Sequence, residues 1–185
     1  MAPLLASGHG VEFLLTRLEL LPGKVRVEVT ADCEGNLMLP SREAAQAAME
    51  RLFVVGNEAS GERKPWAELA PLRFEARTQL DATAPLPPDP TWAGRAHDLL
   101  TGIWEWRPVQ GERFQLAVPP GEPMDTLLWR VVPGAEVKWR MMITGDETEW
   151  LEPVAMGWAG WGALGGGSAV ALVLGAAWGV WRRRA

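Results

Sequence analysis

Apolar and polar positions alternate with a period of two over residues 24–30, where Val25, Val27 and Val29 are interleaved with Lys24, Arg26, Glu28 and Thr30. That period predicts a strand with one wet face. The apolar run at 11–20 reaches it through Leu21-Pro22-Gly23, so the chain is expected to open with a β-hairpin. A helical period follows: Ser41 stands after Pro40 as an N-cap, Glu43 falls in the first turn, and Ala45, Met49, Leu52 and Phe53 form one stripe. Residues 56–64 read as a polar turn, and alternation returns at 72–80 through Leu72, Phe74, Ala76, Thr78 and Leu80. The prolines at 85, 87, 88 and 90 demand an extended surface connection.

A short helical turn is expected within 92–100, then strands at 102–107, 113–118, 126–132 and 137–144, separated by turns at 108–112, 119–125 and 133–136. About seven strands at this spacing, without β-α-β alternation, predict an antiparallel immunoglobulin-like β-sandwich with one inserted α-helix over residues 9–145.

The pattern changes character at the C-terminus. Residues 154–181 carry no charge and run into Arg182, Arg183 and Arg184. At about 1.5 Å per residue, 158–181 would extend roughly 35 Å as a helix, enough for a hydrocarbon core of roughly 30 Å, with Trp158, Trp161, Trp178 and Trp181 at the interfaces. A single transmembrane helix is therefore expected, preceded by an acidic juxtamembrane linker at 146–153 and followed by a basic tail at 182–185. Because Arg182, Arg183 and Arg184 set the topology by the positive-inside rule, the main domain is expected outside the cytoplasm. Export requires a signal, and residues 1–8 lack a basic n-region, so they read as the remnant of a signal peptide cleaved near Ala6 or Gly8. A tail-anchored cytosolic protein is the competing topology.

Without the three tail arginines, 15 basic side chains face 23 acidic ones, a net charge of −8. Such a surface offers phosphates no basic stripe, which argues against nucleic acid as a partner. A lone Cys33 excludes an internal disulfide. Catalytic material is sparse: Ser41 is committed as a cap, Ser168 falls in the span, and Ser60 is not in a nucleophile elbow. His97-Asp98 could be an acid/base pair working with Cys33 or with a carboxylate elsewhere, but no complete catalytic constellation emerges, so a non-enzymatic role is expected.

Two other chemistries arise from spacing. If cleavage frees Ser7, its amine, two backbone nitrogens and the His9 ring supply a square-planar set suited to Cu(II) or Ni(II), whereas cleavage after Gly8 would make His9 the first residue; a periplasmic copper-handling protein using His9 is the alternative function. Trp104 and Trp106 on one strand face, with Trp129 and Trp139 on neighbouring strands, could form a stacking platform, although burial is the simpler fate of such residues. The carboxylates Asp146, Glu147, Glu149 and Glu152 lack the alternation and turn glycine of a calcium loop.

Within the span, Ala159, Ala163, Gly167, Ala171, Gly175 and Gly179 recur every four residues and would let another helix, from a second copy or a partner subunit, approach closely. Gly165-Gly166-Gly167-Ser168, the apolar run at 169–181 and the arginines resemble the GlyGly-CTERM class of bacterial sorting tails, and Glu152-Pro153 before the span with the arginines after it resemble, less closely, the PEP-CTERM tails. The GlyGly resemblance implies cleavage near Gly165, Gly166 and Gly167 by a rhomboid-like protease. The reading as a whole is a module of the bacterial cytoplasmic membrane, with its C-terminus in the cytoplasm and its main domain periplasmic or extracellular. It would be anchored by one span and serve binding or assembly.

Overall fold

In the computed structural model, residues 12–86, 96–131 and 136–154 are described. The hairpin expected at the start is present as β1 (Leu14–Leu21) and β2 (Lys24–Asp32), closed at Gly23, whose φ of 65° a side chain would oppose. Val25, Val27, Val29 and Ala31 all point into the core and are fully buried. Helix α1 (Arg42–Arg51) starts where the Ser41 side chain accepts the Ala44 N–H at 3.2 Å, and it buries Ala45, Ala48 and Met49.

The turn expected at 56–64 is shorter and joins two strands that overlap its ends, β3 (Val54–Asn57) and β4 (Arg63–Pro65), with the one-turn helix α2 (Trp66–Leu69) just beyond it. Then come β5 (Arg73–Arg77), β6 (Leu99–Trp106), β7 (Phe114–Ala117), β8 (Thr126–Val131) and β9 (Lys138–Met142). Leu99 and Leu100, placed by the sequence at the end of a helical turn, instead open β6.

The described residues are mostly β, with two sheets ordered β5-β6-β2-β1-β8-β9 and β4-β3-β7. The first sheet is mixed rather than wholly antiparallel, because β1 and β8 run parallel from Leu14↔Thr126 to Glu19↔Val131. Parallel neighbours need a long connection, and here β2 to β7 all intervene in the chain. The junction is fixed by buried hydroxyls: Thr16 Oγ1 and Thr126 Oγ1 lie 2.7 Å apart, and Thr126 donates to the Leu14 carbonyl at 3.0 Å. A satisfied buried pair of this kind specifies register, since a slip would strand both hydroxyls.

Both sheets and α1 feed one core, which joins Leu14, Leu18 and Trp104 of the larger sheet to Val55, Phe114 and Leu116 of the smaller. Helix α1 sits close to β6 at Gly102, where an added Cβ would meet Met49 Sδ and Phe74 Cε1, each at 3.1 Å. On its opposite face the larger sheet carries an ionic ladder. Glu28 accepts from Arg77 at 2.8 Å and pairs with Arg26, while Arg17 reaches Asp81 at 2.6 Å.

Residues 146–151, expected to be part of a solvated linker, are docked instead. Glu147 bridges Ala117, Leu151 bridges Phe114, and Leu151 is only 2% exposed. The apolar side chain and two isolated backbone bridges outweigh the acidic composition that suggested a linker. The compact unit extends to Val154. No helix among the described residues is long and apolar enough to cross a membrane, and the expected span at 154–181 lies, beyond its first residue, outside them.

Candidate partner-binding edge

Strand β9 is the last strand of the six-stranded sheet, paired on one side with β8 through Thr126↔Met142, Leu127↔Met141, Leu128↔Arg140, Trp129↔Trp139 and Arg130↔Lys138. Its period of two divides the side chains. Lys138, Arg140 and Met142 share the inward face with Leu128 and Arg130; Trp139 and Met141 share the outward face with Leu127 and Trp129. Only Met142 is buried. Trp139 is 60% exposed, Met141 40% and Ile143, just beyond the strand, 49%.

After β9 the chain turns at Gly145, whose φ is 84°, with the Asp146 carboxylate accepting the Ile143 N–H at 3.1 Å. It then crosses to the second sheet. The Val118 N–H donates to the Asp146 carbonyl at 2.9 Å, Thr148 N–H to the Leu116 carbonyl at 2.8 Å, and Phe114 N–H to the Leu151 carbonyl at 3.0 Å. The two sheets are thus bridged on this side, and between β8–β9 and residues 148–151 lies a groove of about 140 Å³. Its floor is Leu18, Leu128 and Leu151, and Arg130, Lys138 and Arg140 stand around it with Glu149 as the single carboxylate. Arg140 donates to the Glu147 carbonyl at 3.0 Å and lies 3.5 Å from Asp146. Arg130 and Lys138 have no ion-pair partner among the described residues, and Arg130 Nε is buried without an acceptor.

The other aromatic candidates do not join this edge as a platform. Trp104 is fully buried, and Trp106 is stacked against it at 5.6 Å with Phe114 edge-on at 5.3 Å. Trp129 is buried and donates to Thr83 Oγ1 at 3.1 Å. Of the four, Trp139 alone is exposed.

Cys33 and Asp98 do come together, through the Cys33 N–H donating to the Asp98 carbonyl at 2.8 Å, and Arg42 pairs with the Asp98 carboxylate. The chemistry runs against nucleophilic use, however. Burial and then the Asp98 charge push the thiol pKa up, more than Arg42 draws it down. Iodoacetamide is accordingly expected to modify Cys33 at neutral pH more slowly than a free cysteine, with the rate rising only above the ordinary thiol range. A rate equal to or above that of a free cysteine would contradict this.

The acidic run is committed elsewhere. Glu147 is held below the ordinary carboxylate range by Arg63, aided by Gln115 at 2.7 Å, and Asp146 serves the turn after β9. No group of three or more His, Cys, Asp or Glu is placed to hold a metal among the described residues. His9, the small-residue stripe from Ala159 to Gly179, the glycines 165–167 and Arg182, Arg183 and Arg184 all lie outside the described residues.

The cations at 130, 138 and 140 did not emerge from the sequence as a site, although the order Lys138-Trp139-Arg140-Met141 carries their signal: a strict alternation of cationic with apolar side chains. No family model matches this chain, and comparison with curated proteins and with solved structures also gives no match.

Proposed function

We propose that this chain is a non-enzymatic binding or assembly module that accepts an extended segment of a partner along β9. Its scaffold is a β-sandwich of immunoglobulin-like type with α1 inserted, and the sharing of one core by the two sheets supports that reading. Its anchor is the uncharged stretch at 154–181 with Arg182, Arg183 and Arg184 behind it, which supports a single pass through a bacterial cytoplasmic membrane with the main domain outside. The small-residue stripe Ala159, Ala163, Gly167, Ala171, Gly175 and Gly179 would pack against another helix.

The observation that carries the reading is β9 itself. An edge strand holding a 60% exposed Trp is what a folded monomer ordinarily avoids, and strand addition uses such an edge by satisfying its free backbone groups. A benzoylphenylalanine photo-crosslinker at Trp139 or Met141, with the protein in its native host, is expected to join one discrete partner. The same probe at Glu75 in β5, the opposite edge strand, is expected to join none. Silence at 139 and 141, or equal labelling from both edges, would contradict the proposal.

A further inference from the structure

The exposed strand also specifies what kind of segment it would receive, and this deepens the strand-acceptor reading on which it rests. We propose that the segment added to β9 alternates Glu or Asp with apolar residues, the carboxylates facing Lys138 and Arg140 and the apolar side chains facing Trp139 and Met141.

Three observations lead there. In a strand pair, directly opposed side chains on one face are in contact, so the partner must repeat the period of two of β9. On the inward face the opposed positions meet Lys138 and Arg140, and on the outward face Trp139 and Met141. The charge is equally directional. This chain has a net charge of −5, yet the groove gathers three cations around one carboxylate, two of them without ion-pair partners among the described residues. Arg130 stands opposite Lys138 on the same face, so the cations meet an incoming strand from two adjacent strands of the sheet. Finally, a second copy of the chain is a poor occupant, because pairing two β9 edges would oppose cations with cations. A bilayer surface would meet the charges but leave the strand's backbone groups unpaired. The groove, at about 140 Å³, is of the size that holds one side chain, so the methylenes of a single Glu could cover Leu18, Leu128 and Leu151.

The test uses the full chain in dodecylmaltoside micelles and fluorescein-labelled peptides in which Val alternates with Glu, with Gln or with Lys. Fluorescence anisotropy should show the Glu/Val peptide binding at least about tenfold more tightly than the Gln/Val peptide, with an affinity that falls as salt rises. The double variant K138E/R140E should reverse the order and prefer the Lys/Val peptide; because both side chains are exposed, its melting temperature should match the parent's, and K138Q/R140Q serves if it does not. Equal binding of the Glu and Gln peptides would overturn the acidic partner while leaving strand acceptance intact. No binding of any peptide would overturn both. If phosphatidylglycerol added to the micelles shields Lys138 from acetylation and the Glu/Val peptide does not, the cations face lipid and the proposal falls.

Discussion

Replacing Trp66 with Ala is expected to destabilise the folded domain by about 3–5 kcal/mol, the range for removing a fully buried large aromatic. The indole stands at the meeting point of three elements. It is edge-on to Phe53 at 5.3 Å and lies 5.5 Å from Trp104. Its Nε1 donates to the Met49 and Glu50 carbonyls of the last turn of α1, at 3.1 and 3.0 Å, beside the Leu52 N–H that also reaches the Met49 carbonyl at 3.2 Å. Its own backbone carbonyl accepts the Trp104 indole N–H at 2.9 Å. The variant therefore opens a cavity and removes a side-chain donor from the last turn of α1 at once. Chemical denaturation measures the loss, and Trp66→Phe, which keeps volume but not the donor, should recover part of it. Trp139→Ala, an exposed edge substitution, should change stability by no more than about 0.5 kcal/mol. A loss below about 1 kcal/mol for Trp66→Ala would contradict the packing described.

The second large effect concerns the ionic face. Glu28 is only 6% exposed, stands opposite Arg17 in register and accepts from both Arg77 and Arg26. Burial alone would raise its pKa, but the hydrogen bonds and charges of Arg77, then of Arg26, outweigh burial and hold it below the ordinary range. Asp81 is depressed as well: burial raises it, and the Thr83 hydroxyl and N–H together with Arg17 more than reverse that. A carboxyl whose folded pKa lies below its unfolded value binds protons more readily when unfolded. Its contribution is therefore complete above the ordinary carboxylate value of about 4 and is lost as pH falls through the folded pKa. Glu28→Gln should cost about 1.5–3 kcal/mol at neutral pH, as expected for hydrogen bonds to charged groups. It should also flatten the acid limb of stability against pH, measured by urea unfolding from pH 7 to pH 2. An acid limb as steep as the parent's would show that Glu28 is not a linked group.

Local signals carried much of the architecture. The alternation of Val25, Val27 and Val29 is strand β2, and Ser41 with the Ala45–Met49–Leu52 spacing is α1, because in both the burial period coincides with the period of the element. The strands expected at 102–107, 113–118, 126–132 and 137–144 correspond to β6 to β9. Non-local pairing was not legible. Nothing in residues 14–19 announces a parallel neighbour in β8, and the short β3 and β4 were hidden in a stretch whose Gly, Ser and charged residues read as a turn. The cleanest alternation, at 72–80, produced only the edge strand β5, whose residues are largely exposed or half-buried: period two reports a strand but not its place in the sheet.

The candidate edge was legible only in part. Trp139 was picked out with three other indoles, and what separates it from them is tertiary: Trp104, Trp106 and Trp129 face neighbours across the core or the sheet, whereas Trp139 lies on the outermost strand. Lys138 and Arg140 share a face by the period of two, but Arg130 is remote in sequence and only the β8–β9 register brings it beside them. The acidic residues at 146–149 concealed the docking of the segment, since the apolar anchor, Leu151, is a single residue at its end.

Backbone hydrogen exchange of the full chain, alone and with the Glu/Val peptide, tests the strand-acceptor claim most directly. The account predicts that exchange slows in residues 138–142, at the amides not already bonded to β8, while residues 73–77 of the opposite edge strand remain unchanged. Unchanged exchange in 138–142, or protection confined to another part of the domain, would contradict it.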